Sequence, residues 1–256
     1  MLLCGDLMQI HRHYAKTPIR EAVIDLKVTL PEDITIDKIK DIYLQVKDRF
    51  PTIEPFYRGI GAIAFNPGSP MKVDTSQQQM GFWFRSENNL RTFQATLEGF
   101  SFNRLAPYES WEEFSSDAKN LWAIYKEVCK PILVTRAATR YINQINIPIK
   151  ELADLKDYLR TVPEVSSQLP QQGLQTFFMQ LQIPQQDLDC MLIINEALTQ
   201  PTTPDVVTVI FDLDLFRQKT WNSDDEDIWH FLEKLRDRKN EVFEASITDR
   251  TRELIS

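Results

Sequence analysis

Glycine is scarce in this sequence, seven in 256 residues. A loop that cradles a phosphate needs backbone N–H groups very close to the ligand, and glycine is the residue that permits such approach. No P-loop, dinucleotide fingerprint, nucleophile elbow or zinc spacing occurs. Cysteine is rarer still. Cys4, Cys129 and Cys190 are scattered and odd in number, which excludes a disulfide framework and points to a reducing compartment. Of three histidines, His11 and His13 alternate near the N-terminus without cysteine or acid companions, and His230 follows Trp229 in a helical pattern. No metal and no cofactor is expected from such a set. No apolar run approaches the roughly 18 residues of a membrane span. The N-terminal residues lack the basic flank of a secretory signal. The expectation is a cytoplasmic globular protein with no membrane segment.

Positive charge is also missing where it would matter most for nucleic acid. The formal net charge is −8. Residues 1–130 are nearly balanced, with 16 basic and 17 acidic side chains, whereas residues 131–256 carry 13 and 20. No Lys or Arg stands between Arg160 and Arg217. A surface that grips phosphates needs clustered cations, so nucleic-acid binding through the second half is not expected. Binding through the more nearly neutral first half stays open.

What the sequence does contain is a long β-rich stretch at its middle. Pro131 to Pro148 is full of β-branched residues and closed by proline at each end, the pattern of a long strand. Ahead of it, Ile19–Leu30 alternates with Ala22, Ile24, Leu26 and Val28 on one side. A helix is expected over Thr35–Phe50. Short strands follow over Ile60–Phe65, Met80–Arg85, Leu90–Leu97 and Phe100–Leu105, with residues 66–70 as a loop. Ser110 with Glu113 reads as a capping box opening a long helix with Trp111, Phe114, Ala118, Leu121, Tyr125 and Val128 buried.

The pattern then restarts. A helix is expected over Ile149–Leu159, strands over Leu174–Ile183, Leu188–Leu198 and Val206–Phe216, and a last helix from Ser223, with Glu226 completing a second capping box. Ser110 and Ser223 are 113 residues apart, as are the two first-helix starts at Ile36 and Ile149. The shared offset predicts an α+β protein of tandem β-α-β(3–4)-α units: a flexible lead-in over 1–17, one unit over 18–130 and a second over 131–256. Each would be an antiparallel sheet crossed by a long helix, a TATA-binding-protein-like or helix-grip topology.

Three segments are familiar together: Pro18-Ile19-Arg20-Glu21-Ala22-Val23-Ile24; Phe102-Asn103-Arg104-Leu105-Ala106-Pro107-Tyr108 with Trp111; and Arg136 with Arg140-Tyr141-Ile142-Asn143. With Phe243-Glu244-Ala245-Ser246-Ile247-Thr248 at the end, the set resembles a sporadically distributed, functionally uncharacterised bacterial family of about 250 residues. The resemblance implies no reaction, cofactor or catalytic residue. Its patchy distribution is that of mobile or defence-associated genes.

Several residues are candidates for chemistry. Arg136 and Arg140 share a strand face, and two guanidinium groups there suit bidentate clamping of a phosphate or carboxylate. The structural alternative is that they pair with acids of a neighbouring strand, Asp212 and Asp214 foremost. Those two aspartates also share a face, the geometry of a divalent-metal holder, although no Glu or His nearby completes a set. Asp224-Asp225-Glu226-Asp227 is better read as anions at a helix N-terminus. Phe82 and Phe84 alternate with Met80 toward a core, which leaves Trp83 and Arg85 on the other side as a contact surface. The function expected is a non-enzymatic binding protein whose partner is another protein, with an antitoxin or defence-associated role. The alternative is a ligand- or nucleotide-binding enzyme using the Arg pair and the Asp pair.

Overall fold

Proline punctuation and alternating apolar residues decide where this chain runs extended. In the computed structural model, which describes residues 12, 14–64, 72–149, 152–171, 173–199 and 205–256, β1 (Ile19–Thr29) starts directly after Pro18 and ends before Pro31. Two short helices follow, α1 (Ile36–Lys40) and α2 (Ile42–Val46). The single helix expected over Thr35–Phe50 is thus broken at Asp41. Then come β2 (Thr52–Ala64), β3 (Lys72–Arg85), β4 (Arg91–Thr96), β5 (Gly99–Leu105) and the long α3 (Trp111–Cys129). The central strand is β6 (Leu133–Ile147). A 3-10 turn over Leu152–Asp157 leads to β7 (Phe178–Gln185), β8 (Cys190–Thr199), β9 (Val207–Asn222), α4 (Asp227–Ser246) and α5 (Asp249–Ile255). His11, His13 and the expected loop at 66–70 lie outside the described residues.

All nine strands join one antiparallel sheet in the order β2-β3-β4-β5-β1-β6-β9-β8-β7. This corrects the expected tandem units with a helix crossing each of two sheets. β1 and β6 pair antiparallel from Ile19↔Asn143 to Thr29↔Leu133. Each satisfies the backbone groups that would otherwise form the exposed edge of a separate sheet. Among the described residues of the second half, a 3-10 turn and no α-helix stands between β6 and β7, where such a unit requires a helix. Periodicity within each half says nothing about whether the two opening strands hydrogen-bond to each other.

One face of the sheet carries the core. Ala22, Ile24 and Leu26 of β1, Phe84 and Phe93 of β3 and β4, Phe100 and Phe102 of β5, and Phe211, Leu213 and Leu215 of β9 are all buried on it. A bulge between Val134 and Arg136 lets Val134 and Ala137 both face this core. The helices α1 to α4 pack on the same side. From α3, Phe114 stacks on Phe102 with ring centroids 5.4 Å apart, and Trp122 meets Phe100 at 5.8 Å. From α4, Phe243 lies 6.1 Å from Phe211 and Phe231 lies 5.9 Å from Trp221. Phe50, just past α2, points edge-on at Phe93. Glycine is required where β5 approaches β1, since a Cβ on Gly99 would sit 2.2 Å from the Leu26 carbonyl oxygen.

The helix starts differ from each other in a way the sequence hides. Ser110 is the N-cap of α3, its Oγ accepting from the Glu113 N–H at 3.2 Å. Ser223 caps nothing, because α4 begins four residues later with Glu226 at its cap position. Among the described residues no helix is long and apolar enough to cross a membrane.

Candidate functional site

Strand alternation sends every second side chain of β1, β6, β9 and β8 to the face opposite the helices. The register sets Arg140 opposite Val23 on one side and Asp214 on the other. The diagonal neighbour Asp212 is the one Arg140 grips: Nε and Nη2 donate to the two carboxylate oxygens at 2.8 and 2.7 Å. Asn195 of β8 adds a third donor to Asp212 at 2.9 Å. Arg136 donates to Asp25 of β1 at 2.6 Å and reaches Asp214 at 3.5 Å. It lies 4.4 Å over the Phe216 ring as well.

The structure therefore brings Arg136, Arg140, Asp212 and Asp214 together, with Asp25 and Asn195 added, as a ladder of ion pairs across four strands. The Asp212 hydrogen bonds hold the Arg140 guanidinium more firmly charged. Burial pushes the Asp214 carboxyl up, against the pull of Arg136 and Arg140. Every cation of this ladder already faces an acid. Trp83 and Arg85 sit on the same face four strands away, where Arg85 lies 5.6 Å over the Trp83 ring and pairs with Glu54 at 3.2 Å. The structure does not bring them to the ladder. Phe82, Phe84, Phe100 and Phe102 are core residues.

A second site lies on the helix side and centres on a residue that sequence reasoning missed. Lys239 is only 7 % exposed. It occupies the inward stripe of α4 with Ile228, Leu232, Leu235 and Phe243. The signal was present: the spacing from Leu235 demands an apolar residue at 239, and lysine stands there. Its ammonium lies 4.0 Å from the centroid of the Tyr141 ring on β6. Burial pushes the amine down to about 7, and Arg236 adds to the effect.

Lys239 lines a cavity of about 280 Å³ together with Pro18, Ile19, Tyr108, Asn143 and Phe243. Pro18 and Ile19 open β1, Tyr108 lies in the turn before α3, and Asn143 lies on β6. The strand opening at Pro18, the turn at Tyr108, β6 at Asn143 and α4 at Phe243 meet here. The Tyr108 and Tyr141 hydroxyls are 3.5 Å apart. Burial raises both phenols, Tyr108 to about 12. The Asn143 amide donates to the Phe211 carbonyl at 3.0 Å, which fixes the wall. The N-terminal segment closes the rim, with the Lys16 N–H donating to the Ile255 carbonyl at 2.9 Å and the Tyr14 hydroxyl to Glu244 at 2.5 Å.

A third buried ionisable group, Glu196 of β8, is 1 % exposed on the helix side. Among the described residues its Oε2 has no hydrogen-bond partner, and burial pushes the carboxyl up to about 7. Among the described residues no group of three or more His, Cys, Asp or Glu is placed to hold a metal ion. No known protein-family profile and no curated protein matches the chain.

Proposed function

We propose that this chain is a binding protein, and that its partner is a protein of net positive charge docking on the helix-free face of the sheet. The observation that carries the reading is the internal neutralisation of that face: Lys27, Arg136 and Arg140 are committed to Asp25, Asp212 and Asp214. A phosphate clamp needs free guanidinium groups, and a metal or acid–base site needs free carboxylates. The ladder leaves neither. Around it the face presents amides, including Gln94, Gln144, Gln180, Gln182 and Asn195, with part-exposed Val23, Ile142 and Phe216 between them. That mixture of satisfied ion pairs, amides and dispersed apolar groups suits a polar protein interface. The overall charge of −8 favours a basic partner through long-range attraction.

The test is a photo-crosslinking amino acid placed in turn at Gln94, Gln144 and Gln182, with Lys234 on the outer side of α4 as control. One and the same protein should crosslink from all three face positions and not from Lys234. That protein, purified, should bind the wild type saturably and lose about tenfold or more in affinity to Gln144→Arg, while Lys234→Glu binds as before. Equal crosslinking from Lys234, or capture of nucleic acid alone, would refute the reading.

A further inference from the structure

We propose that the cavity beneath α4 binds a small organic monocarboxylate with an apolar body, its carboxylate seated on the Lys239 ammonium. This site lies on the opposite side of the sheet from the proposed protein interface, and the argument for it does not depend on that interface.

The charge pattern around the cavity selects an anion. Four acids line it, and each is held by an arginine: Glu109 by Arg104, Asp237 by Arg236, Glu241 by Arg238 and Glu244 by Arg252. Among the described residues Lys239 makes no ion pair, and Asp237 acts on it only through its field. Its close contact is the Tyr141 ring, which offers the negative face of a quadrupole and no full charge. An ammonium buried without an anion is costly, and a leucine or methionine at 239 would simply continue the apolar stripe of α4. A ligand carboxylate removes the cost by supplying the missing charge.

The shape and the walls narrow the class. A volume of about 280 Å³ is at the small end of ligand sites, which run from roughly 300 to 1,000 Å³. Pro18, Ile19, Tyr108 and Phe243 give the cavity an apolar lining. A phosphate, with three oxygens and up to two charges, needs several converging donors. Here the lining offers two cations, the buried Lys239 ammonium and the Arg12 guanidinium at the rim. A single carboxylate on an aliphatic or aromatic body matches both the one buried charge and the apolar part of the lining.

Binding of this kind is linked to protons. The ligand stabilises the charged amine, so an amine that is largely neutral above about pH 7 must take up a proton as the carboxylate arrives. The other titratable groups that face it are Arg236 and Asp237 on its own helix turn, Glu241 and Glu244 beyond them, Tyr141 on β6, Tyr108 and Glu109 before α3, and Arg12 and Tyr14 at the rim.

Hexanoate and benzoate, with hexanamide and benzamide as neutral controls, test the proposal by thermal shift and calorimetry. At pH 6.5 the two acids should raise the melting temperature of the wild type and the amides should not. At pH 8 the measured enthalpy should vary with the ionisation enthalpy of the buffer, showing proton uptake. Affinity should fall toward tenfold per pH unit above pH 7. Lys239→Met should abolish the shift. The proton linkage is read on the wild type alone, so it stands even where the variant misfolds. Equal shifts from acids and amides, buffer-independent enthalpies, undiminished binding to a folded Lys239→Met, or no response to either acid at millimolar concentration would each overturn the proposal.

Discussion

Replacing Glu196 by glutamine should make the protein more stable at alkaline pH and not at acid pH. The side chain is 1 % exposed and, among the described residues, has no ion pair and leaves Oε2 without a hydrogen-bond partner. Burial lifts its carboxyl from an ordinary 4.5 to about 7. At about 1.4 kcal/mol for each tenfold change in the proton equilibrium, this difference is worth about 3 kcal/mol. Its sign follows from which state holds the proton. Between pH 4.5 and 7 the unfolded chain has released it and the native protein retains it, so stability falls as pH rises through that window. By pH 8 the full cost of a buried carboxylate is present. Glutamine keeps the shape and does not ionise. Urea denaturation of both proteins from pH 4.5 to 8 should show the variant gaining about 3 kcal/mol on the wild type across the range. A buried amide adds its own offset, which is constant with pH, so the slope is the quantity to read. Other carboxylates, such as Asp187 held down by Arg238, titrate alike in both proteins and cancel. A difference that stays constant from pH 4.5 to 8 would refute the reasoning, since the carboxylate would then have found a partner in the folded state.

Lys239 should show the opposite trend at higher pH. Its amine falls from 10.5 to about 7, so between those values the unfolded chain binds the extra proton and stability rises with pH, by up to about 5 kcal/mol. Lys239→Met should flatten that rise in denaturant melts, and an undiminished rise would exclude Lys239 as its source. Ser110→Ala should cost about 0.5–2 kcal/mol, because α3 loses the acceptor for the Glu113 N–H, whereas Ser223→Ala should fall within about 0.5 kcal/mol of wild type. Equal losses in the two alanine variants would mean that Ser223 is a cap after all. Arg140→Met strands Asp212, which is 5 % exposed, with Asn195 as its remaining side-chain donor. Because Arg140 itself is 47 % exposed, the cost should lie between the exposed and buried extremes, at about 1–3 kcal/mol. Adding Asp212→Asn should recover part of the loss, and strictly additive single effects in the double-mutant cycle would disprove the coupling.

Local patterns in the sequence determined local structure. Prolines at 18, 31, 131 and 148 bracket two interior strands, β1 and β6, because a proline has no N–H to give a ladder paired on both sides, whereas Pro55 and Pro184 stand within the edge strands β2 and β7. The apolar stripe and the serine cap of α3 needed no partner to be legible. The alternation that put Arg136 with Arg140 and Asp212 with Asp214 on shared faces is likewise a property of one strand at a time. Tertiary structure decided everything that depends on which edge meets which. β1 and β6 pair with each other, so one nine-stranded sheet replaces the tandem units. Arg136 consequently finds Asp25, a residue 111 positions away that no spacing rule selects. The 113-residue offset between serines matched sequence, not caps, because a serine three residues before a glutamate caps a helix only where the backbone turns there. Lys239 shows the same division. Its place on an apolar stripe was written in the sequence, but its lack of an ion pair among the described residues was not. The acids near it are drawn instead to arginines, Arg236 and Arg238 on α4 itself, Arg104 on β5 and Arg252 on α5.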